Sequence, residues 1–496
     1  MNISHTKKER GVVFYIHIAI GIFLMFFAGN LFEPIYPLTE VGMQVFGVFI
    51  GVIWLWCFVG FLWPSLLALI ALGMTDFASF GRVLEMSFGH NVPILLLFSM
   101  ILFGSPQHVG ATRYITRWFL TRKVFNNRPI VFAFVFIFAT YALSVAVNVT
   151  PSLILMWTVL YGVLKELKYK KGDKFASLML VGTFLGAISG QASLPFTGST
   201  LAILNSFNTA AQETAPGTVI PEPQYMLLGF VFSVLIFIVF CVFMKIVLKP
   251  KDLANVANVN TEMFERDPLP PMSKLQKANF VSMLLFVFLM LIPWAMPDGF
   301  ALRVLLQSTL GPAGLAILIT AAMCVFRVDD QPILDFPAVA KSSIAWDIFV
   351  MVAAAMAIAS ALTNNAVTGA MDMMIMVFDP ILGGHSPVMF FVVMLLIGIF
   401  VTSFASSMVI GIALMPVLVA FGYAAGANLP AVAATTTLLL HYSIILPSAS
   451  VFAAMLWSND TWITRKEVFK YGAFIVIAAT IAAIVIIMPL SLLLFG

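Results

Sequence analysis

The chain has 496 residues, of which 61% are hydrophobic and only 10% are charged, with a formal net charge of +4. A soluble core cannot absorb so much apolar surface, so the composition excludes a soluble protein and indicates a polytopic membrane protein. The three cysteines lie apart in apolar runs, which argues against both a disulfide framework and a cysteine metal site.

Long apolar runs follow one another along almost the whole chain. The first begins after a basic segment and has no small-residue cleavage site, so it predicts a spanning helix rather than a removed signal peptide. The second is long enough for two spans. The runs occupy about residues 12–32, 41–74, 91–106, 129–164, 175–208, 224–248, 278–296, 304–326, 347–363, 387–423, 430–457 and 471–495.

The distribution of basic residues gives the orientation of these runs. With the N-terminus inside, all Lys and Arg except Arg82 and Arg303 fall on the cytoplasmic side, provided that two long runs each enter and leave on one face. Run 129–164 has basic residues at both ends, whereas run 387–423 has none at either end. The prediction is an all-α membrane protein of about 11 transmembrane helices and two oppositely oriented re-entrant hairpins, with the C-terminus outside.

The two halves of the chain, on either side of a polar linker at 249–277, share a weak internal similarity. The matches occur at offsets of 259 and 252 residues and keep the same order in both halves. The matched residues are Ser144 with Ser403, Asn148 with Ser407, and Leu194-Pro195 with Leu446-Pro447. This order predicts two inverted-topology repeats, an arrangement typical of transporters with a site near the membrane midplane.

The predicted organisation has five parts. Scaffold helices alternate with parts of a transport domain, which contain the hairpins and the interrupted helices. The parts are 1–128 (first scaffold helices), 129–248 (first hairpin, broken fifth helix and sixth helix), 249–277 (cytoplasmic linker), 278–385 (second scaffold half) and 386–496 (second hairpin, broken tenth helix and eleventh helix).

The stretch "ISGQASLPFTGSTLAILN" (188 to 205) interrupts one apolar run with polar and helix-breaking residues. Pro195 removes a backbone donor, and Gly198 permits conformations that other residues resist, so the helix is predicted to break near the midplane. Its second half, opening near Ser199-Thr200, would present free N–H groups to an anion. A matching break is predicted at "LPSASV" (446 to 451).

These breaks and hairpin tips contain no Lys, Arg, Asp or Glu, so an anion would be held by neutral donors and helix ends. Oxygen atoms of the same stretches could coordinate Na⁺. The alternative is structural, because serine and threonine in membrane helices often donate to the carbonyl one turn back. His441 is a candidate for proton coupling, and its alternative is a hydrogen bond to a neighbouring helix or exposure to an aqueous vestibule.

The layout resembles the divalent anion/sodium symporter family of the ion transporter superfamily, which includes dicarboxylate, citrate and sulfate carriers. That family has Ser-Asn-Thr at each hairpin tip, where this chain reads Val147-Asn148-Val149 and Ser406-Ser407-Met408. Its broken helices carry Thr-Pro-Pro-like segments, where this chain reads "LPFTGSTLAIL" and "LPSASVFAAM".

The resemblance implies a site built from both hairpins and both breaks. The candidate substrate-binding residues are Asn148, Thr150, Thr197, Ser199, Thr200, Ser406, Ser407, Ser448 and Ser450. The implied sodium ligands are Ser144, Asn148 and backbone near Gly190 for one ion, and Thr402, Ser403, Ser407 and backbone near Ala449 for another.

The resemblance also implies the activity: sodium-coupled transport of di- or tricarboxylates by a homodimer in the cell membrane. Amphipathic segments at 113–125 and 369–382 would lie along the membrane surface and link the scaffold to a transport domain that moves like an elevator. Alternatives are a sodium-independent exchanger, a proton-coupled carrier, or a carrier of sulfate or another small anion. No phosphate loop or catalytic constellation is present, so neither an enzyme nor a nucleic-acid partner is predicted.

Overall fold

The computed structural model describes residues 12–111, 113–114, 117–118, 128–146, 148–196, 198–253, 270–297, 299–459 and 461–496. Thr197, most of the surface segment 113–125 and much of the linker lie outside the described residues. The side chain of Ser448 is also outside the description.

The described chain is almost entirely helical. In the first half the helices are α1 (Val12–Leu31), α2 (Glu40–Phe58), α3 (Leu62–Gly73), α4 (Phe80–Met86), α5 (Asn91–His108), α6 (Pro129–Ala146), α7 (Val149–Glu166), α8 (Lys174–Ala192), α9 (Gly198–Thr214), α10 (Glu222–Val247) and α11 (Pro250–Leu253). In the second half the elements are α12 (Lys274–Ala295), α13 (Ala301–Val325), β1 (Arg327–Val328), β2 (Gln331–Pro332), α14 (Phe336–Ser343), α15 (Trp346–Thr363), α16 (Asn365–Thr368), α17 (Ala370–Leu382), α18 (Pro387–Phe404), α19 (Ser407–Ala424), α20 (Leu429–Leu440), α21 (Val451–Trp457) and α22 (Arg465–Phe495).

Eleven helices of the described chain are long and apolar enough to cross a membrane. This confirms the predicted polytopic all-α class. The run 41–74 divides into α2 and α3 at Gly60, whose φ of +148° suits glycine. The short antiparallel pair β1–β2 was not predicted; it turns at Asp329 and Asp330, both with positive φ, as a tight hairpin turn requires.

One compact unit consists of the described residues up to Pro93 and from Trp346 to Gly383. Within it, α2 lies close to α16. A Cβ at position 42 would clash with the carbonyl oxygen of Thr368, so this approach requires Gly42. The Thr39 side chain caps α2 by accepting from the Gly42 amide and donates to the carbonyl of Val367 at 2.7 Å. These contacts hold the start of α2 against the end of α16.

The other compact unit, residues Ile94–Ala345 and Gly384–Gly496, contains two helical hairpins. The first pairs α6 with α7 and the second pairs α18 with α19. The first arm of each hairpin begins with a proline, Pro129 or Pro387, at the position where a missing backbone N–H costs nothing. The re-entrant path of each hairpin stays a prediction.

The hairpins align one residue differently from the predicted repeat. All four helices repeat at an offset of 258 residues, and the N-cap positions of the second arms are occupied by Asn148 and Ser406. Asn148 therefore corresponds to Ser406 rather than Ser407, and Ser144 corresponds to Thr402 rather than Ser403. In so apolar a chain, identical residues recur by chance, so sequence identity alone does not give the alignment of the two hairpins that the helix bounds define.

Both interrupted helices are present. The first has α8 and α9 on either side of residues 193–197, which include Pro195. The second has α20 and α21 on either side of 441–450, with a 3-10 turn at Pro447–Ala449. The second break is the longer one, so the two halves are similar rather than identical.

Helix α8 is the centre of this unit and packs against both arms of the first hairpin. Every residue from Phe175 to Ala192 is buried except Gln191. Close contact with α6 requires glycine, since a Cβ at Gly186 would lie 2.4 Å from the carbonyl oxygen of Ile137, and one at Gly190 would lie 2.6 Å from the Ser144 Cβ. The first hairpin is thereby seated directly on the broken helix.

Candidate functional site

A small cavity of about 20 Å³ lies where the tip of the first hairpin meets the first helix break. Its volume suits about one water molecule or a dehydrated ion. The lining residues are Ser99, Met100 and Phe103 of α5, Ser144, Val145, Asn148 and Val149 of the first hairpin, and Gln191, Leu194 and Gly198 of the first broken helix. All of these side chains are uncharged.

Two hydroxyls in this lining have already donated their hydrogen atoms. Ser144 donates to the carbonyl of Ala187 at 2.6 Å, and Ser99 donates to the carbonyl of Leu96 at 3.0 Å. A hydroxyl that has given its hydrogen can only accept further bonds. These two oxygen atoms therefore offer lone pairs to the cavity.

The two amides in the lining differ in the group that they leave free. Asn148 Oδ1 accepts from the Val149 amide at 2.6 Å, so its Nδ2 remains as a donor among the described residues. Gln191 Nε2 donates to Ser199 Oγ at 3.1 Å, which leaves its Oε1 as an acceptor within the same part of the chain. The cavity is therefore rich in acceptors and has one amide donor, at its Asn148 edge.

His441 joins the two helix breaks. Its Nε2 lies 3.0 Å from Ser199 Oγ and 3.2 Å from Thr200 Oγ1, and its Nδ1 lies 2.8 Å from the carbonyl oxygen of Thr437. The imidazole thus bridges the start of α9 and the end of α20. Of the two predicted environments, the hydrogen bond to a neighbouring helix is present.

A second cluster of hydroxyls lies between the second hairpin and its own broken helix. Thr402 Oγ1 and Ser443 Oγ are 2.6 Å apart, and Thr402 also donates toward the carbonyl of Gly398. One turn before the break, the hydroxyls of Thr435 and Thr436 are buried without a hydrogen-bond partner in the described chain. Buried, unpaired hydroxyls cost free energy unless another group binds them.

The predicted site residues fall into three groups. Ser144 and Asn148 line the cavity, and Gly190 lies directly beneath Ser144. Ser199 and Thr200 do not line the cavity and contact His441 instead. Thr402 belongs to the second cluster.

Within the described part of the chain, no hydrogen bond links the other predicted residues to either cluster. The Ser403 hydroxyl donates to its own helix at Ile399, and Ser450 caps α21 by accepting from the Ala453 amide. The predicted site residues that neither line the cavity nor form a described side-chain hydrogen bond to the clusters are Thr150, Ser403, Ser406, Ser407, Ala449 and Ser450. Thr197 and the Ser448 side chain lie outside the described residues.

Sequence reasoning missed Ser99, Gln191 and Ser443. Gln191 lies inside the polar stretch and is the only amide in α8, a signal that could have found it. Ser99 has no such signal, because α5 reaches the cavity only through tertiary packing.

Comparisons with known proteins point to one kind of molecule. The family model CitMHS, citrate transporter, matches residues 49–440, which include both hairpins, the first broken helix and α20. No curated protein matches the chain.

Two solved structures share the fold. The YdaH transporter of Alcanivorax borkumensis superposes with a TM-score of 0.53 at 13% sequence identity, covering 83% of this chain and 87% of its own. MtrF of Neisseria gonorrhoeae, described with a class of antimetabolite efflux pumps, superposes with a TM-score of 0.52 at 17% identity, covering 80% and 82%. At such identities the likeness shows the fold alone. The matched family and both structures are transporters, not enzymes.

Proposed function

The chain belongs to the citrate transporter family, and from that premise we propose that it is a secondary carrier for citrate or a closely related di- or tricarboxylate. The proposal depends most on the extent of the family match, residues 49–440, which spans both hairpins and the cavity. We propose that the anion is recognised at the first hairpin tip, where Asn148 Nδ2 has no acceptor among the described residues.

The charge of the cargo requires a second bound species. The cavity lining is uncharged, so nothing in it neutralises a multivalent carboxylate. Desolvating such an anion without a counter-charge is strongly unfavourable. The acceptor oxygens of Ser99, Ser144 and Gln191 suit a hard cation, and sodium is the proposed co-substrate. A second sodium is proposed at Thr402, beside Ser443.

The size of the cavity implies movement. Pockets that enclose small-molecule ligands span roughly 300–1,000 Å³, whereas this cavity has about 20 Å³. Citrate therefore needs the hairpin tip and the loop 193–196 to separate. We propose an elevator motion, with both hairpins, both broken helices, α10 and α22 moving together in a homodimer.

The test is uptake of labelled citrate by purified protein in liposomes. An inward sodium gradient is expected to drive accumulation, and replacement of sodium by choline is expected to abolish it. Unlabelled citrate, succinate, sulfate and lactate as competitors define the cargo. Absence of citrate uptake under every gradient would contradict the proposal, as would competition by lactate equal to that by citrate.

Two alternative coupling modes have distinct outcomes in the same vesicles. Uptake only into citrate-loaded vesicles, without sodium, would identify an exchanger. Uptake driven by a proton gradient would identify a proton-coupled carrier, for which the bridge from His441 to Ser199 makes His441 the candidate group. Loss of proton drive but not of exchange in His441→Gln would support that assignment.

A further inference from the structure

A chain of side-chain hydrogen bonds leads from the cavity to the second broken helix. Gln191 Nε2 lies 3.1 Å from Ser199 Oγ, and Ser199 Oγ lies 3.0 Å from His441 Nε2. His441 Nδ1 in turn lies 2.8 Å from the carbonyl oxygen of Thr437. The chain joins α8, α9 and α20, so it spans both helix breaks.

The direction of every bond follows from its last member. The Thr437 carbonyl can only accept, so Nδ1 of His441 carries a hydrogen. The ring is buried and contacts no carboxylate in the described chain, so its neutral form is favoured and Nε2 is an acceptor. Ser199 therefore gives its only hydrogen to Nε2.

The orientation of the Gln191 amide is the consequence. A Ser199 hydroxyl that donates to His441 can only accept from Gln191, so Gln191 must turn its NH₂ group to Ser199. Its Oε1 then faces away from Ser199. Thr200 does not compete, because its hydroxyl donates to the Gln191 backbone carbonyl at 3.0 Å.

The backbone leaves space for this arrangement. Gly198 has a φ of +54°, and a Cβ at that position would lie 2.6 Å from Gln191 Nε2. Glycine is thus required both for the conformation and for the amide beside it. Gln191 is also the one residue between Phe175 and Ala192 that is not buried, and it lines the cavity.

We propose that Ser199 and His441 are positioning residues that hold Gln191 Oε1 toward the cavity as a sodium ligand. The inference rests on the proposed function. It adds Gln191 to the sodium ligands and links that sodium site to His441. Since His441 belongs to the second broken helix, any rearrangement there changes the affinity for sodium at the first hairpin. The coupling is reciprocal, so sodium bound at Gln191 favours the present position of His441.

Sodium binding by the purified full-length protein tests this without citrate. The thermal unfolding midpoint is measured while sodium replaces choline at constant ionic strength. Gln191→Leu is expected to raise the half-maximal sodium concentration by about ten-fold or more, because it removes a ligand. Gln191→Glu keeps an oxygen but has no hydrogen to donate to Ser199, so adding Ser199→Ala to Gln191→Glu is expected to leave its sodium response unchanged.

The positioning residues have their own variants. Ser199→Ala and His441→Leu are each expected to raise the half-maximal sodium concentration by about ten-fold, as loss of an orienting partner does at metal sites. Ser199→Thr retains the hydroxyl and is expected to behave as the wild type. Gln212→Leu and His108→Leu, at exposed positions of α9 and α5, are the matched controls.

Three results would overturn the proposal. The first is a wild-type unfolding midpoint that sodium leaves unchanged. The others are a half-maximal sodium concentration equal to that of the wild type in Gln191→Leu, or in both Ser199→Ala and His441→Leu. If Gln191→Leu does not fold, an effect of Ser199→Ala on the sodium response that is as large in the Gln191→Glu background as in the wild type overturns it. Citrate uptake by the wild type is measured separately, so failure of this inference is distinguishable from failure of the proposed function.

Discussion

Asn148 combines two roles at the tip of the first hairpin. Its Oδ1 accepts from the Val149 amide at the start of α7, and its Nδ2 remains as a donor among the described residues. Its counterpart at the second tip, Ser406, makes no side-chain cap bond and has no amide. The two tips are therefore not chemically equivalent, and the first is better suited to a carboxylate.

Asn148→Asp separates these roles. The aspartate keeps a capping oxygen, so the hairpin is expected to remain folded, but it lacks the donor and adds a negative charge. We expect citrate uptake in liposomes to fall by at least about ten-fold, with an unchanged thermal unfolding midpoint. Asn205→Ala is the control, since that amide donates to its own helix at Leu201. Full uptake by Asn148→Asp would remove Asn148 from the substrate site.

At the scale of elements, the seat of the first hairpin on α8 is a contact between backbones. Gly186 meets the carbonyl oxygen of Ile137, and Gly190 meets Ser144. Small residues at such positions are what lets membrane helices approach closely, since apolar side chains gain little from packing against each other rather than against lipid. The position of the cavity depends on this approach.

Gly186→Ala tests the seat. The added Cβ would lie 2.4 Å from the Ile137 oxygen, so α6 must shift, at an expected cost of about 1–3 kcal/mol. Gly162→Ala is the matched control, because α7 has open space there and alanine is expected to add up to about 1 kcal/mol. Thermal unfolding in detergent measures both changes: the midpoint is expected to fall in Gly186→Ala and to rise in Gly162→Ala. Equal midpoints for the two variants would show that the close contact does not determine stability.

The loop of the first break is held by an aromatic cluster. Phe196 packs against Phe103 of α5 and Phe286 of α12, with ring centroids 6.2 and 5.9 Å away, and all three rings are buried. Edge-to-face and offset contacts at these distances are favourable beyond the area they bury. The cluster ties the loop to α5 and α12.

Phe196→Ala removes this tie and is expected to destabilise the protein by about 3 kcal/mol, judged from buried phenylalanine truncations. The thermal unfolding midpoint measures the loss. Phe288→Ala, at an exposed position of α12, is the control and is expected to have little effect. A midpoint for Phe196→Ala that equals the control would show that the loop is held by other contacts.

At the scale of the whole molecule, the chain is a multi-pass membrane transporter of the citrate transporter family. The finer resemblance to divalent anion/sodium symporters stays a prediction, since the family match is to the citrate transporters. The five-part division of the chain and the orientation of its termini are likewise predictions. The basic residues on both sides of the first hairpin are the basis for the orientation.

Cysteine labelling tests the orientation. In a background with Cys57, Cys241 and Cys324 replaced by alanine, Gly496→Cys is expected to react with a membrane-impermeant maleimide in intact cells. Lys170→Cys, which follows the first hairpin, is expected to react only after permeabilisation. Reaction of Lys170→Cys in intact cells would contradict the predicted re-entrant path, because that path keeps both flanks of the hairpin inside.

The sequence by itself determined the class, the hairpins and the two breaks. Length and apolar content required a membrane protein, and Pro195 and Pro447 lie where the helices are interrupted. These features depend on local properties of the chain: hydrophobic length, missing backbone donors and the conformational freedom of glycine. Such properties do not need a tertiary partner.

Only the tertiary structure decided which polar groups meet. Ser99 reaches the cavity from a distant helix, Gln191 faces it while its neighbours are buried, and His441 bonds to Ser199 across 242 residues. The repeat register also moved by one residue once the caps were known. The physical reason is that a hydroxyl or amide in an apolar helix forms a hydrogen bond with any polar group that packing brings within about 3 Å. The sequence does not specify which group that is.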